Sequence, residues 1–124
     1  MLNIQLLDAD YSICKLGATD AIPAWVAASN FYTITKSSDE LSIVCQSKFV
    51  PTLVLQDGGW RLIKIAAVLD LSLTGITARF STALANAGVN LCVIATFNTD
   101  YIMVKADKLP KAIDALATAD FTLI

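Results

Sequence analysis

Three consecutive stretches decide the fold: WRLIKIA (residues 60–66), LDLSLTGI (69–76) and ITARFSTALANAG (76–88). The first is a short apolar run of strand length, and the second is a loop that runs through Gly75 into the helix. In the third, Ile76, Phe80, Ala83, Leu84 and Ala87 recur at i, i+4, i+7, i+8 and i+11, which makes the single apolar stripe of a helix docked on one side. Gly88 stands where a left-handed C-terminal cap belongs.

Working outward, Asn90–Thr96 reads as a strand, Phe97–Thr99 as a tight turn and Asp100–Lys105 as the returning strand. Leu109, Ala112, Ile113 and Leu116 again show helical spacing, with Asp107 as expected N-cap and Pro110 in the first turn, where its missing N–H costs nothing. Phe121–Ile124 closes with a strand. The order β-α-β-β-α-β is the ferredoxin-like arrangement of an α+β fold, an antiparallel sheet with both helices on one face. The first half reads as an abbreviated copy. Leu2–Leu7 is a strand, and Ile22, Trp25, Val26 and Ser29 share a face of a brief helix around Pro23. Phe31–Thr35 and Leu41–Gln46 form a hairpin, while Phe49–Leu55, with Pro51, suits an edge strand or an extended connector. The turn Asp57-Gly58-Gly59 marks the border, giving domains 1–57 and 58–124.

Composition narrows the function classes. The chain has 124 residues, 56% of them hydrophobic and 16% charged, with a mean hydropathy of +0.62. Globular domains average about 45–50% apolar and about 25% charged, so disorder is excluded. Lys64, Asp70, Arg79, Lys105 and Asp114 interrupt every run that could span a bilayer, and the N-terminal residues lack a basic leader region. The apolar excess is therefore expected between subunits of a cytoplasmic oligomer. A net charge of −2 without basic runs argues against nucleic acid. The sequence has no histidine, so a serine or cysteine nucleophile lacks its usual base. Cys14, Cys45 and Cys92 are far apart and read as buried thiols, not as a zinc site or a disulfide framework.

The chain resembles the small bacterial proteins made of two tandem ACT domains. The resemblance covers nearly its whole length and rests on Ile22-Pro23-Ala24-Trp25, Asp39–Cys45, Gly59-Trp60-Arg61, Leu69–Ile76 and Thr96–Val104. It implies two tandem ACT-like domains, the first abbreviated, and no catalysis. It also implies a regulatory sensor that binds an amino acid or similar metabolite at a domain or subunit interface. No cofactor or metal is implied; a homodimer or higher homo-oligomer is, together with an enzyme or other protein that it regulates. The family is similar to the CASTOR-type arginine sensors and to the regulatory tails of aspartate kinases.

The loops fit that picture. The segment before Gly75 leads into a helix N-terminus, where backbone N–H groups favour an anion such as an α-carboxylate. Asp100, at the end of the neighbouring strand, can accept hydrogen bonds from a ligand ammonium or guanidinium. The expected ligand-binding residues are Ser72, Leu73, Thr74, Gly75 and Ile76 in the first loop, and Thr96, Phe97, Asn98, Thr99 and Asp100 in the second. By the resemblance, Gly75, Thr96, Phe97 and Asp100 fall on ligand-contacting positions of the arginine sensors. Where those sensors place an acidic residue one helical turn after the glycine, this chain has Ala78, which favours a neutral or smaller amino acid. Plainer roles stand beside these: Ser72 and Thr74 as helix caps, Gly75 as a turn residue, Asp100 as a solvated turn carboxylate, and Phe97 as core or dimer contact. The competing functional class is a structural or protein-interaction module that binds no small ligand.

Overall fold

The computed structural model describes residues 1–69 and 75–124. They form an α+β fold with eight strands: β1 (Leu2–Leu6), β2 (Tyr11–Leu16), β3 (Thr33–Lys36), β4 (Leu41–Gln46), β5 (Leu55–Ile65), β6 (Cys92–Ala95), β7 (Asp100–Lys105) and β8 (Phe121–Leu123). Two α-helices, α1 (Ile76–Asn86) and α2 (Leu109–Thr118), lie in the second half. Contacts divide the chain into two compact units. One combines Met1–Asp8 with Arg61–Ile124, and the other is Ala9–Trp60. The division falls inside β5, not at 57/58, and the first eight residues group with the C-terminal half.

In the unit built from both chain ends, hydrogen-bonded neighbours run β6-β7-β5-β1-β8. β1 lies antiparallel to β5, with Ile4 opposite Ile65, and parallel to β8, with Leu2 opposite Phe121. The sheet is therefore mixed, where the sequence pattern led us to expect an antiparallel one. The extra parallel partner arises because the N-terminal strand is inserted beside the strands of the second half.

The helical periodicity is realised. Phe80 and Leu84 of α1 and Ala112 and Leu116 of α2 are fully buried against Ile63, Ile65, Ile102 and Val104 of the sheet, with Ile76 and Ala87 at the margin. Burying a side chain of the size of Phe80 or Leu84 contributes about 1.5–3 kcal/mol. The rings of Phe80 and Phe121 meet edge to face at 6.2 Å. Arg79 lies 4.9 Å above the Phe121 ring and donates from Nη2 to the Ala119 carbonyl at 2.8 Å, placing a cation at the C-terminal end of α2. Gly88 ends α1 in the left-handed region at φ 73°. Asp107 does not cap α2: Ala106–Lys108 is a 3-10 turn that runs straight into it, which leaves Lys108 at the cap position. Pro110 does occupy the first turn.

The Ala9–Trp60 unit contains the antiparallel order β3-β4-β2-β5. β2 carries no clear signal in the sequence, because Tyr11, Ser12 and Cys14 are all buried and the polar alternation of a half-exposed strand is lost. Two 3-10 segments, Ala24–Ala28 and Ser47–Phe49, stand where α-helices would cover a sheet, and the second replaces the start of the edge strand expected from Phe49. The core is Cys14, Val26, Leu41, Ile43 and Cys45.

The Asp57-Gly58-Gly59 sequence is not a border turn. It lies within β5 at a bulge, where pairing with β2 shifts register between Tyr11 and Ile13. Gly59 takes φ 76°, open only to glycine at low cost, and a Cβ on Gly58 would approach Ser12 Oγ to 3.2 Å. A dipeptide that reads as a turn here lets one strand bend and continue.

Candidate functional site

The candidate site forms at one end of the β5 and β7 strands, and local chemistry fixes it. Thr96 N–H donates to Thr99 O at 2.8 Å and Thr96 Oγ1 donates to the same carbonyl at 2.9 Å, closing the 96–99 turn. Thr99 is buried, and its Oγ1 donates to Ile65 O at 2.7 Å, which bolts the turn to the end of β5. Leu69 N–H donates to Asn98 O at 2.6 Å, so the chain leaving β5 stays beside the turn.

On the helix side, Gly75 stands at the α1 N-cap with φ 90° and accepts from Arg79 N–H at 2.9 Å. A glycine at this position offers no side-chain oxygen to the first-turn N–H groups, which leaves them to another acceptor. Thr77, in that first turn, donates from Oγ1 to Asp100 Oδ2 at 3.3 Å. The half-buried Asp100 carboxylate therefore stands beside a helix N-terminus with positive dipole character.

The Thr77–Asp100 bond joins the Gly75–Ile76 end of α1 to the strand that follows the Thr96–Thr99 turn, but the expected residues do not have equal roles. Ile76 packs on the apolar core, and Thr99 is committed to the backbone of β5, so both are scaffold. The Phe97 side chain is 84% exposed and is no part of the core. Ser72, Leu73 and Thr74 lie outside the described residues, and so do the capping roles considered for Ser72 and Thr74. Ala78 is exposed and lines a different hollow of about 500 Å³, along α1 and the end of α2 with Arg79, Thr82 and Ala119. One neighbour was missed from the sequence: Thr77, findable as a hydroxyl in the first turn after the glycine.

The cysteines are free thiols. Cys14 and Cys45 are buried and hydrogen-bonded to each other. Burial raises the pKa of Cys14, and burial together with the Cys14 neighbour raises that of Cys45 to about 11, which keeps both protonated and unreactive at neutral pH. Among the described residues no cluster of three or more His, Cys, Asp or Glu side chains could hold a metal ion. No helix among them is long and apolar enough to cross a membrane.

Comparison with known proteins follows the same outline. No curated protein matches the chain. Among solved structures, an Agrobacterium tumefaciens protein superposes with a TM-score of 0.93 at 35% identity, covering 99% of this chain and 92% of its own. A Vibrio cholerae protein of unknown function, described as a possible transport protein, gives 0.78 at 22% identity over 95% of this chain and 89% of that one. The regulatory subunit of aspartate kinase from Thermus flavus shares the fold with a TM-score of 0.66 at 14% identity, covering 94% and 95% of the two chains. An N-terminal-domain family model matches residues 9–53, and the ACT domain model matches residues 56–118, just over half of the sequence. The chain belongs to the ACT domain family.

Proposed function

We propose that this protein is a non-enzymatic regulatory sensor, built as two tandem ACT-like domains, that binds an amino acid or similar small metabolite. The observation that carries the reading is the pairing of Asp100 with Thr77 beside the Gly75-capped N-terminus of α1. A carboxylate acceptor and a helix N-terminus to which Gly75 gives no side-chain cap then stand side by side, which matches the ammonium and carboxylate of a zwitterion. The binding residues in this reading are Gly75, Thr77, Thr96, Phe97, Asn98 and Asp100, with Ser72, Leu73 and Thr74 completing the loop. Ala78 lines a different hollow and does not bear on whether the ligand carries a guanidinium. The protein works in the cytoplasm as a homodimer, and ligand binding favours one arrangement of its surfaces, which a partner enzyme reads.

A thermal-shift screen of the twenty amino acids tests this. Ligand at about 100 times its Kd adds about 2.7 kcal/mol, a rise of several degrees for a chain of this size. Asp100→Ala should abolish the shift while leaving the oligomer, measured by light scattering, intact. A flat screen supported by silent calorimetry defeats the sensor reading. A second reading draws on the exposure of Phe97 and Val68, at 84% and 79%, which suits a protein-docking module without a ligand. It predicts that Phe97→Ala, and not Asp100→Ala, disrupts complexes.

A further inference from the structure

On the other face of β5, away from Asp100 and α1, a hollow of about 330 Å³ is lined by Lys64, Ala66, Ala67, Val68, Asn98 and Thr99. Its place follows from strand alternation. Ile63 and Ile65 point into the helix-covered core, so Lys64 between them points to the opposite face. Ile102 and Val104 of β7 also lie in that core, which puts Asp100, in the same alternation, on the helix side, where Thr77 meets it.

The hollow has a definite chemistry. Among the described residues its one charged lining residue is Lys64, and none of its described lining residues is acidic. The Asn98 amide adds a donor, while the Thr99 hydroxyl already donates to Ile65 O and is not offered to a ligand. Ala66, Ala67 and Val68 make an apolar wall. A cation and a neutral donor at one end, an aliphatic wall, and no carboxylate among the described lining residues favour an anionic head on a short apolar tail.

We infer that this hollow is a second small-molecule site, taking a small carboxylate with a short aliphatic tail and no ammonium group, such as a branched 2-oxo acid. Lys64 pairs with the carboxylate, the Asn98 amide donates beside it, and the tail lies on Ala66 and Val68. An α-amino acid of the same skeleton is disfavoured, because its ammonium would enter beside the Lys64 ammonium, with no acidic side chain among the described lining residues to meet it. The site shares Asn98 with the sensor reading, but its charged group, Lys64, and the charged group of that reading, Asp100, lie on opposite faces of the sheet.

Isothermal titration calorimetry on the full chain tests it, with 2-oxoisovalerate as the probe and L-valine as its amine-bearing counterpart. The 2-oxo acid should bind at least about tenfold tighter than L-valine at this site. Lys64→Met should weaken it by about tenfold or more, and Lys64→Arg should keep it within about threefold. Lys64→Gln, which retains a polar end on the strand, serves if the Met variant misfolds and should weaken binding in the same direction. Asp100→Ala should leave 2-oxoisovalerate binding within about twofold while removing any amino-acid response. The inference is overturned by any of four results: no binding heat at millimolar 2-oxoisovalerate, equal affinity for L-valine, unchanged affinity in the Lys64→Met and Lys64→Gln variants, or an equal loss in Asp100→Ala. The first three leave the amino-acid reading standing.

Discussion

The two compact units cover their sheets by different means. In the unit of Met1–Asp8 and Arg61–Ile124, α1 and α2 lay a continuous apolar stripe on the sheet, and Phe80, Leu84, Ala112 and Leu116 disappear from solvent. In Ala9–Trp60 no α-helix forms among the described residues, and hydrogen bonds between side chains and backbone fasten short segments instead. Gln46 N–H donates to Ser29 Oγ at 2.8 Å, and Ser29 Oγ donates to Phe31 O at 2.6 Å. Asn30 N–H donates to Gln46 Oε1 at 2.7 Å, and Tyr11 Oη donates to Asn30 Oδ1 at 2.9 Å. The first unit is held by buried area, whereas the second adds to its smaller core a chain of polar side-chain bonds. Area tolerates small trimming, whereas a polar network fails link by link when a buried donor loses its acceptor.

The largest test of that contrast is Phe80→Ala. It should cost about 3–5 kcal/mol, because it removes a fully buried ring that also meets Phe121, and urea denaturation followed by circular dichroism measures it. A cost under about 1 kcal/mol would break the comparison. Ser29→Ala removes only one oxygen, yet it strands the Gln46 N–H in a buried position, so we expect a loss of about 1–3 kcal/mol and faster hydrogen exchange at Gln46 and Asn30. Gly75→Ala forces a side chain into φ 90°, with no atom of the described residues within 4 Å, and the conformational cost is about 1–2 kcal/mol. The same variant should weaken amino-acid binding by crowding the helix N-terminus.

The smallest effect concerns the thiol pair. The folded-state pKa of Cys45 lies near 11 against 9.0 for the ordinary thiol, so above pH 9 the unfolded chain releases its proton while the folded chain keeps it. The unfolded state then binds fewer protons, and stability falls as the pH rises from 9 towards 11. Cys45→Ala should flatten that part of the pH-stability curve, a result that chemical denaturation at several pH values can read.

How legible the fold was depended on the range of each signal. The stripe from Ile76 to Ala87 and the Leu109–Leu116 pattern sit on adjacent turns, so a short window contains the whole of each. The hairpin of β6 and β7 was equally plain, since Ala95 and Asp100 pair across a turn that the sequence carries. β2 was invisible, because its buried Ser12 and Tyr11 owe their environment to distant residues: Ser12 Oγ and Ser47 Oγ lie 2.7 Å apart. Half of the candidate site behaved the same way. Asp100 and Gly75 were readable from residue type and loop position, but the commitment of Thr99 to Ile65 O and the turning of Ala78 into the α1 groove depend on three-dimensional packing.

By itself the sequence determined the two helices, the 96–100 turn, the absence of histidine chemistry, and the resemblance to tandem ACT proteins. The tertiary structure alone decided that Leu2–Leu6 joins the far end of the chain, between β5 and β8, and that Asp57-Gly58-Gly59 is a bulge inside a strand. It also placed Asp100 and Lys64 on opposite faces of one sheet. The reason is physical: helix formation is decided among residues three and four apart, whereas strand pairing joins residues such as Leu2 and Phe121, whose partnership no local pattern records.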